Sequence, residues 1–329
     1  MGLFTSFPLS ALDTDDIQRG IEYSLRQNYD IALALFDSLE NEFPARPGPC
    51  FYKASVYQTR MMDLETKRWE NEFLDAIQNA VEKADHCLQR DTNDIDARFA
   101  RGAAKSYKAF YAGRNENYLQ SIILSRQGIQ DLGKVVQADS CHLQALLGLG
   151  SYLYWRSRIT LNFSWLPFFS DQRAQGIEYL ERVAGTANPG RWSAISNLAW
   201  IYIKEENWQK AILYSRMGVQ AFPESRFFLW PFGDTLYHMG EFQRAAEIYH
   251  RILSSVLQEP INNHYNETVL YLKLGQCYFE IGEEQRARPY LEKVITLQPD
   301  PEVRKRCSEK KVQARKLLER ISFSAGASE

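Results

Sequence analysis

The chain has 329 residues, and its charge is nearly balanced, with 39 lysines and arginines against 41 aspartates and glutamates. This balance excludes a strong global field, so we expect no nucleic-acid partner and expect any electrostatic recognition to be local. Aromatic residues make up 13% of the chain, which favours a well-packed protein over a disordered one.

The first 12 residues are predicted to be a tail. Met1 to Ser10 contains no basic region followed by a long apolar core, so it is a poor secretory signal. No apolar run reaches the ~18 residues that a membrane-spanning helix needs. Five cysteines without a C-x-x-C spacing fit a reducing compartment. We expect a cytoplasmic protein; a periplasmic location is the alternative if a signal peptide has been removed.

A first helix pair is predicted near the N-terminus. Gly20 and Tyr23 share one face of the first helix, and Ala32 and Phe36 share one face of the second. Pro44 ends the pair. Small residues in such a pattern allow two helices to cross closely, and the bulky residues pack around the crossing.

The three middle pairs are longer. Ala54, Gly102 and Gly150 recur every 48 residues as the small residue of the first helix. The small residues within a middle pair are 26 apart, against 12 between Gly20 and Ala32, so each middle pair has 14 extra residues. Shared between two helices, these would add about 10 Å to each helix.

The last three pairs are shorter again. Ala199 and Gly233 are 34 residues apart, and Gly275 follows 42 residues later. Tyr271 and Tyr278 flank Gly275 at helical spacing, and this pattern resembles the tetratricopeptide repeat (TPR), W-x2-L-G-x2-Y…A-x3-F…P. The resemblance implies an all-α, right-handed TPR-like solenoid of about seven helix pairs plus a C-terminal capping helix.

This interpretation gives a single domain from residue 13 to residue 321. The capping helix is strongly basic, and it is either a solvated end cap or a patch for an acidic partner or nucleic acid. Residues 322–329 are expected to fray. The predicted pairs cover about 13–46, 47–94, 95–142, 143–190, 192–225, 226–267 and 268–301, followed by the cap at 302–321.

An aromatic segment interrupts the fourth pair. Trp165, Phe168 and Phe169 lie beside Pro167, which rules out one continuous helix and predicts a projecting loop. The loop either folds back onto the helices or contacts a partner or a membrane. Residues 171–177 that follow it resemble a segment of the inclusion-clearance (Iml-type) branch of repeat proteins.

Catalytic motifs are weak. Residues 128–134 match the spacing of a phosphate-binding loop, but Val135 replaces the required Ser or Thr and no strand precedes the segment. The five histidines are scattered without a metal-binding spacing. We therefore expect no cofactor, no metal and no enzymatic activity, and the alternative is an enzyme with a site hidden between repeats.

The TPR resemblance implies a scaffold that binds a peptide or a partner protein in a groove lined by the first helix of each pair. The identity of the partner and the oligomeric state stay open. The aromatic residues either anchor a partner or fill gaps between successive helices. The candidate groove residues are Asn197, Trp200, Lys204, Trp230, Asp234, Tyr237, Lys273, Gln276 and Phe279.

Overall fold

A computed structural model describes residues 14–160 and 170–326 of the chain. Fifteen α-helices and no strand occur in these residues, which confirms the all-α repeat fold. Within the same residues, no helix combines the length and the apolar character that crossing a membrane requires. The chain divides into two compact units, and the first contains residues up to 59 and residues 70–194. The second unit contains residues 60–69 and the chain from residue 195 onward.

The helices follow one another in chain order, joined mostly by short turns. Those of the first part are α1 Thr14–Leu25, α2 Tyr29–Glu42, α3 Gly48–Asp63, α4 Glu70–Arg90, α5 Ile95–Arg114, α6 Tyr118–Ala138, α7 Leu143–Thr160 and α8 Arg173–Ala184. Those of the second part are α9 Arg191–Lys204, α10 Trp208–Ala221, α11 Arg226–His238, α12 Phe242–Leu257, α13 Tyr265–Glu280, α14 Glu284–Thr296 and α15 Arg304–Gly326.

Long helices in the first unit accommodate the extra residues of the middle pairs. Helices α4, α5 and α6 have 21, 20 and 21 residues, against 12 for α1 and 14 for α2. Asp94 starts α5 as its N-cap, and its carboxylate accepts a hydrogen bond of 2.8 Å from the amide of Ala97. The fourth pair differs, because α7 has 18 residues but α8 only 12.

Glycines lie where the helices of these pairs cross. A Cβ atom added at Gly128 would lie 2.7 Å from the carbonyl oxygen of Gly102. One added at Gly176 would lie 2.7 Å from the carbonyl oxygen of Gly150. Because backbone atoms cannot move aside as a flexible side chain can, only glycine permits these close approaches. The small residues predicted at the crossings are therefore confirmed for α5 with α6 and for α7 with α8.

An arginine of α5 occupies a position where the repeat pattern favours an apolar residue. Arg101 donates hydrogen bonds of 2.8 Å and 2.7 Å to the buried Asp131 of α6. A third bond of 2.6 Å reaches Asp85 of α4. Since the guanidinium is matched by two carboxylates, it ties three helices of the first unit together.

The second unit has a continuous hydrophobic core that extends from α11 to α15. Leu236, Ile252 and Leu291 belong to this core, and α15 adds Ala314 and Ile321. The basic terminal helix therefore buries one face against the preceding repeats, while Lys305, Lys310 and many of its other basic residues remain exposed.

Candidate functional site

The nine candidate groove residues lie on α9, α11 and α13, the first helices of the last three pairs. Lys204 is exposed, and the other eight are half-buried. Half-buried side chains at these positions keep part of their surface available to a ligand while being held by their neighbours.

Asp234 of α11 is the centre of a polar cluster in this set. Its carboxylate accepts a hydrogen bond of 2.8 Å from the hydroxyl of Tyr249 and lies 2.8 Å from Nζ of Lys273. The same Nζ lies 5.1 Å from the centroid of the Tyr249 ring, a cation–π distance. Trp230 is next to it, with its ring centroid 6.5 Å from that of Tyr249. The structure thus brings Trp230, Asp234 and Lys273 together.

Tyr249 joins these residues, and the repeat pattern assigned it only a packing role because it belongs to α12, a second helix. Its ring is fully buried, and a Cβ atom added at Gly233 would lie 2.8 Å from the ring. Burial, followed by the charge of Asp234, raises the pKa of the Tyr249 hydroxyl well above its ordinary value. The hydroxyl therefore stays protonated and keeps donating to Asp234.

Two aromatic members of the set also contact named neighbours. The Tyr237 ring lies 5.2 Å from that of Phe242 in an edge-to-face arrangement, and burial raises the pKa of Tyr237 to about 12. The guanidinium carbon of Arg320, from α15, lies 4.5 Å from the centroid of the Phe279 ring. The terminal helix therefore covers part of the surface near Phe279.

The remaining members provide polar and aromatic groups at either end of the row. Asn197 and Trp200 lie on α9 one turn apart, and Lys204 ends that helix. Gln276 lies on α13, three residues after Lys273. Side-chain amides of this kind can bond to the backbone of an extended peptide, and tryptophan can bury an apolar side chain of it.

A buried arginine lies on the same face of α11, at a position that the repeat pattern does not single out. Arg226 is the first residue of α11, only 1% exposed, and its Nε donates to the carboxylate of Asp63 at 2.9 Å. Its other nitrogens donate to Ser255 at 2.7 Å and to Glu259 at 2.6 Å. Burial disfavours the charged form, but hydrogen bonds and charge from Asp63 and Glu259 raise the pKa of Arg226 above its ordinary value.

The same part of the second unit holds the turn that follows Asp63. Asn266 donates 2.7 Å to the carbonyl oxygen of Asp63, and Asn263 donates 2.8 Å to that of Glu65. Arg306 of α15 donates 2.7 Å to the carboxylate of Glu65. The turn is therefore bound through both its backbone and its acidic side chains.

The polar cluster and the bound turn are adjacent along the helices. Arg226, Trp230 and Asp234 recur every four residues of α11 and so share one face. Asn266 and Lys273, seven residues apart, share one face of α13. The acidic turn thus lies beside the N-terminal ends of the two helices that carry the candidate groove residues.

An exposed apolar stripe is a separate feature, on the first unit. Five large side chains at the end of α5 and the start of α6 are between 48% and 72% exposed. Arg126 lies on the same face of α6 and is exposed too. The stripe consists of Phe110, Tyr118, Leu119, Ile122 and Ile123.

The predicted loop residues Trp165, Phe168 and Phe169 lie outside the described residues. Among the residues that are described, no three His, Cys, Asp or Glu side chains are grouped so that they could hold a metal ion.

Comparison with protein families locates the repeats in the second half of the chain. Models described as "Tetratricopeptide repeat" match residues 228–300 and residues 194–216. The protein is a TPR protein. The matched residues contain α11 to α14 and most of α9, and such repeats indicate a protein-interaction scaffold. Neither match reaches residues 171–177, so their resemblance to the Iml-type branch stays a prediction.

Solved structures with a similar fold have low sequence identity to this TPR protein. PilW, a type IV pilus biogenesis factor, is 14% identical with a TM-score of 0.49, over 73% of this chain and 91% of PilW. A TPR protein from Parabacteroides merdae is 14% identical with a TM-score of 0.42, over 92% of this chain and 98% of that one. A thermophilic TPR protein from Thermus thermophilus is 14% identical with a TM-score of 0.41, over 69% of this chain and 100% of that one. No curated protein matches the chain.

Proposed function

We propose that this TPR protein is a non-catalytic scaffold that binds an extended peptide, or an extended segment of a partner protein, along α9, α11 and α13. One observation carries the proposal. Asp234 is held between Lys273 and Tyr249, next to the half-buried Trp230, so charged and aromatic groups are fixed side by side before a ligand arrives. Such preorganisation lowers the entropic cost of binding.

Each type of group has a role in this mode of binding. Trp200 and Trp230 supply apolar contact area at a low entropic cost, since each side chain has few rotatable bonds. The amides of Asn197 and Gln276 pair with backbone groups of the ligand. Lys204 is exposed and attracts an acidic group at the α9 end of the row.

Affinity capture from native lysate tests the proposal. The bait is the full chain, either wild type or carrying Trp200→Ala or Trp230→Ala. The matched control is Leu213→Ala, which removes an apolar side chain 54% exposed on α10. Thermal melts by circular dichroism establish that each bait is folded.

The proposal expects proteins that wild type and Leu213→Ala capture equally and that both tryptophan variants lose. A set of captured proteins that is the same for folded tryptophan variants and for wild type would contradict it.

A second candidate function is contact with a membrane surface, as in an envelope assembly factor. The apolar stripe on α5 and α6 supports it, because an exposed apolar face with a basic residue suits an interface with anionic lipids. Liposome flotation with Leu119→Ser and Ile122→Ser tests the stripe, and Trp165→Ala with Phe168→Ala tests the predicted loop. Flotation of wild type that both double variants leave unchanged would remove this candidate.

A further inference from the structure

The turn at residues 63–65 is bound in the way that a protein binds an extended peptide. Side-chain amides of Asn266 and Asn263 donate to the carbonyl oxygens of Asp63 and Glu65. Amide contacts of this type read backbone and do not depend on which side chains the segment carries. They hold the path of the segment.

Guanidinium groups read the side chains of the same segment. The carboxylate of Asp63 is paired with Arg226, and that of Glu65 with Arg306. Leu64, between them, is buried. All three side chains of Asp63-Leu64-Glu65 are thus engaged, which is the basis of specificity for an acidic segment with one apolar residue at its centre.

Further contacts fix the turn. Glu65 has a φ of 54°, a left-handed conformation that residues other than glycine seldom adopt. The amide of Lys67 lies 3.4 Å from the carboxylate of Glu302, which also accepts from Asn263. The segment is therefore held in one conformation, although the residues that hold it lie between 163 and 241 positions further along the chain.

We infer that Asp63-Leu64-Glu65 is an internal ligand of an acidic-peptide site formed by Arg226, Asn263, Asn266 and Arg306. A partner carrying an Asp-x-Glu segment competes for this site. The inference rests on the proposed function, because Arg226 shares the α11 face of Trp230 and Asp234. It specifies the chemistry of the ligand at that end of the row and makes the internal segment its regulator.

A tethered ligand competes at a high effective concentration, so a free peptide binds the intact protein poorly. Weakening the internal segment removes that competition. We expect a labelled peptide with the sequence of residues 60–69 to bind full-length Asp63→Asn/Glu65→Gln at least about tenfold more tightly than wild type. Fluorescence anisotropy gives both dissociation constants.

Two controls test whether the peptide occupies the proposed site. Adding Arg306→Ala to the double variant should weaken binding at least about tenfold, as should the Asp63→Asn and Glu65→Gln changes placed in the peptide itself. Equal affinity for wild type and double variant, or indifference to Arg306→Ala, would overturn the inference.

A measurement on the wild type covers the case in which the double variant does not fold. Excess peptide should accelerate amide hydrogen exchange within residues 64–69, and no acceleration would overturn the inference. Peptide binding that persists while Trp230→Ala has no effect on captured proteins contradicts the proposed function alone. Capture that depends on Trp230, with no peptide binding to a folded double variant, contradicts this inference alone.

Discussion

Arg226 and Asp63 are 163 positions apart in sequence, and Nε of Arg226 lies 2.9 Å from Oδ1 of Asp63. Their side chains are only 2% and 3% exposed. A buried charge is tolerated only while its partner is present, because desolvation is otherwise uncompensated. This pair therefore holds residues 60–69 in the second unit.

Removing one partner of this pair should be severe. We expect Asp63→Ala to lower the free energy of unfolding by about 3–5 kcal/mol, since it leaves the Arg226 guanidinium with less compensation in a buried position. The combination of Asp63→Leu with Arg226→Met should cost less than Arg226→Met alone, because no buried charge then lacks a partner. Urea unfolding followed by circular dichroism measures all three variants.

The control is an ion pair on the surface of the same unit. Glu224 is 84% exposed and pairs with Arg251 at 3.1 Å, so Glu224→Ala should cost about 0–1 kcal/mol. Equal losses for Asp63→Ala and Glu224→Ala would show that burial does not make the Asp63 pair special.

The close helix crossing in the first unit predicts opposite effects for two glycines of α6. Gly128→Ala would place a Cβ atom 2.7 Å from the carbonyl oxygen of Gly102, and we expect a loss of about 1–3 kcal/mol from this overpacking. Gly133 has no atom within 4 Å of an added Cβ, so Gly133→Ala should gain about 0.5–1 kcal/mol through helix propensity. Thermal unfolding of both variants is the measurement, and a loss at both positions would contradict the crossing.

Stability of the first unit should depend on pH through Glu40. Burial opposes ionisation, but hydrogen bonds from Lys53 and Lys83 lower the pKa of Glu40 from 4.5 to about 2. Since the folded value is below the unfolded one, the stabilisation is complete above pH 4.5 and is lost as the pH falls toward 2.

Glu40→Gln should therefore reduce stability at pH 7 and flatten its decline below pH 4.5. Urea unfolding at several pH values tests this, with Glu42→Gln, an exposed neighbour on the same helix, as the control. A steep decline that survives Glu40→Gln unchanged would assign the acid sensitivity to other groups.

The repeat architecture could be predicted from the sequence because it depends on local spacing. Gly102, Gly128, Gly150 and Gly176 recur at fixed intervals, and each interval reports a helix crossing between neighbours in the chain. The all-α TPR fold follows from that periodicity.

The contacts of Arg226 could not be predicted in the same way. Nothing within one helix pair relates Arg226 to Asp63, since the two belong to pairs far apart in the chain and the ion pair depends on tertiary packing. Tyr249 was missed for another reason. Its position matched a packing site of the repeat, and only its hydroxyl reaches Asp234. The placement of the groove residues on first helices came from the TPR resemblance, and their role in binding stays a prediction.

Site-specific photo-crosslinking tests the central claim, that partners bind along α9, α11 and α13, most directly. A photoreactive amino acid replaces Gln276 in the full chain, and a second protein carries it at the exposed Leu213 of α10 as the control. Irradiation in native lysate should link a partner to position 276 and not to position 213, and adding Trp230→Ala should abolish the product. Crosslinks at position 213 alone, or a product at position 276 that a folded Trp230→Ala protein retains in full, would contradict the account.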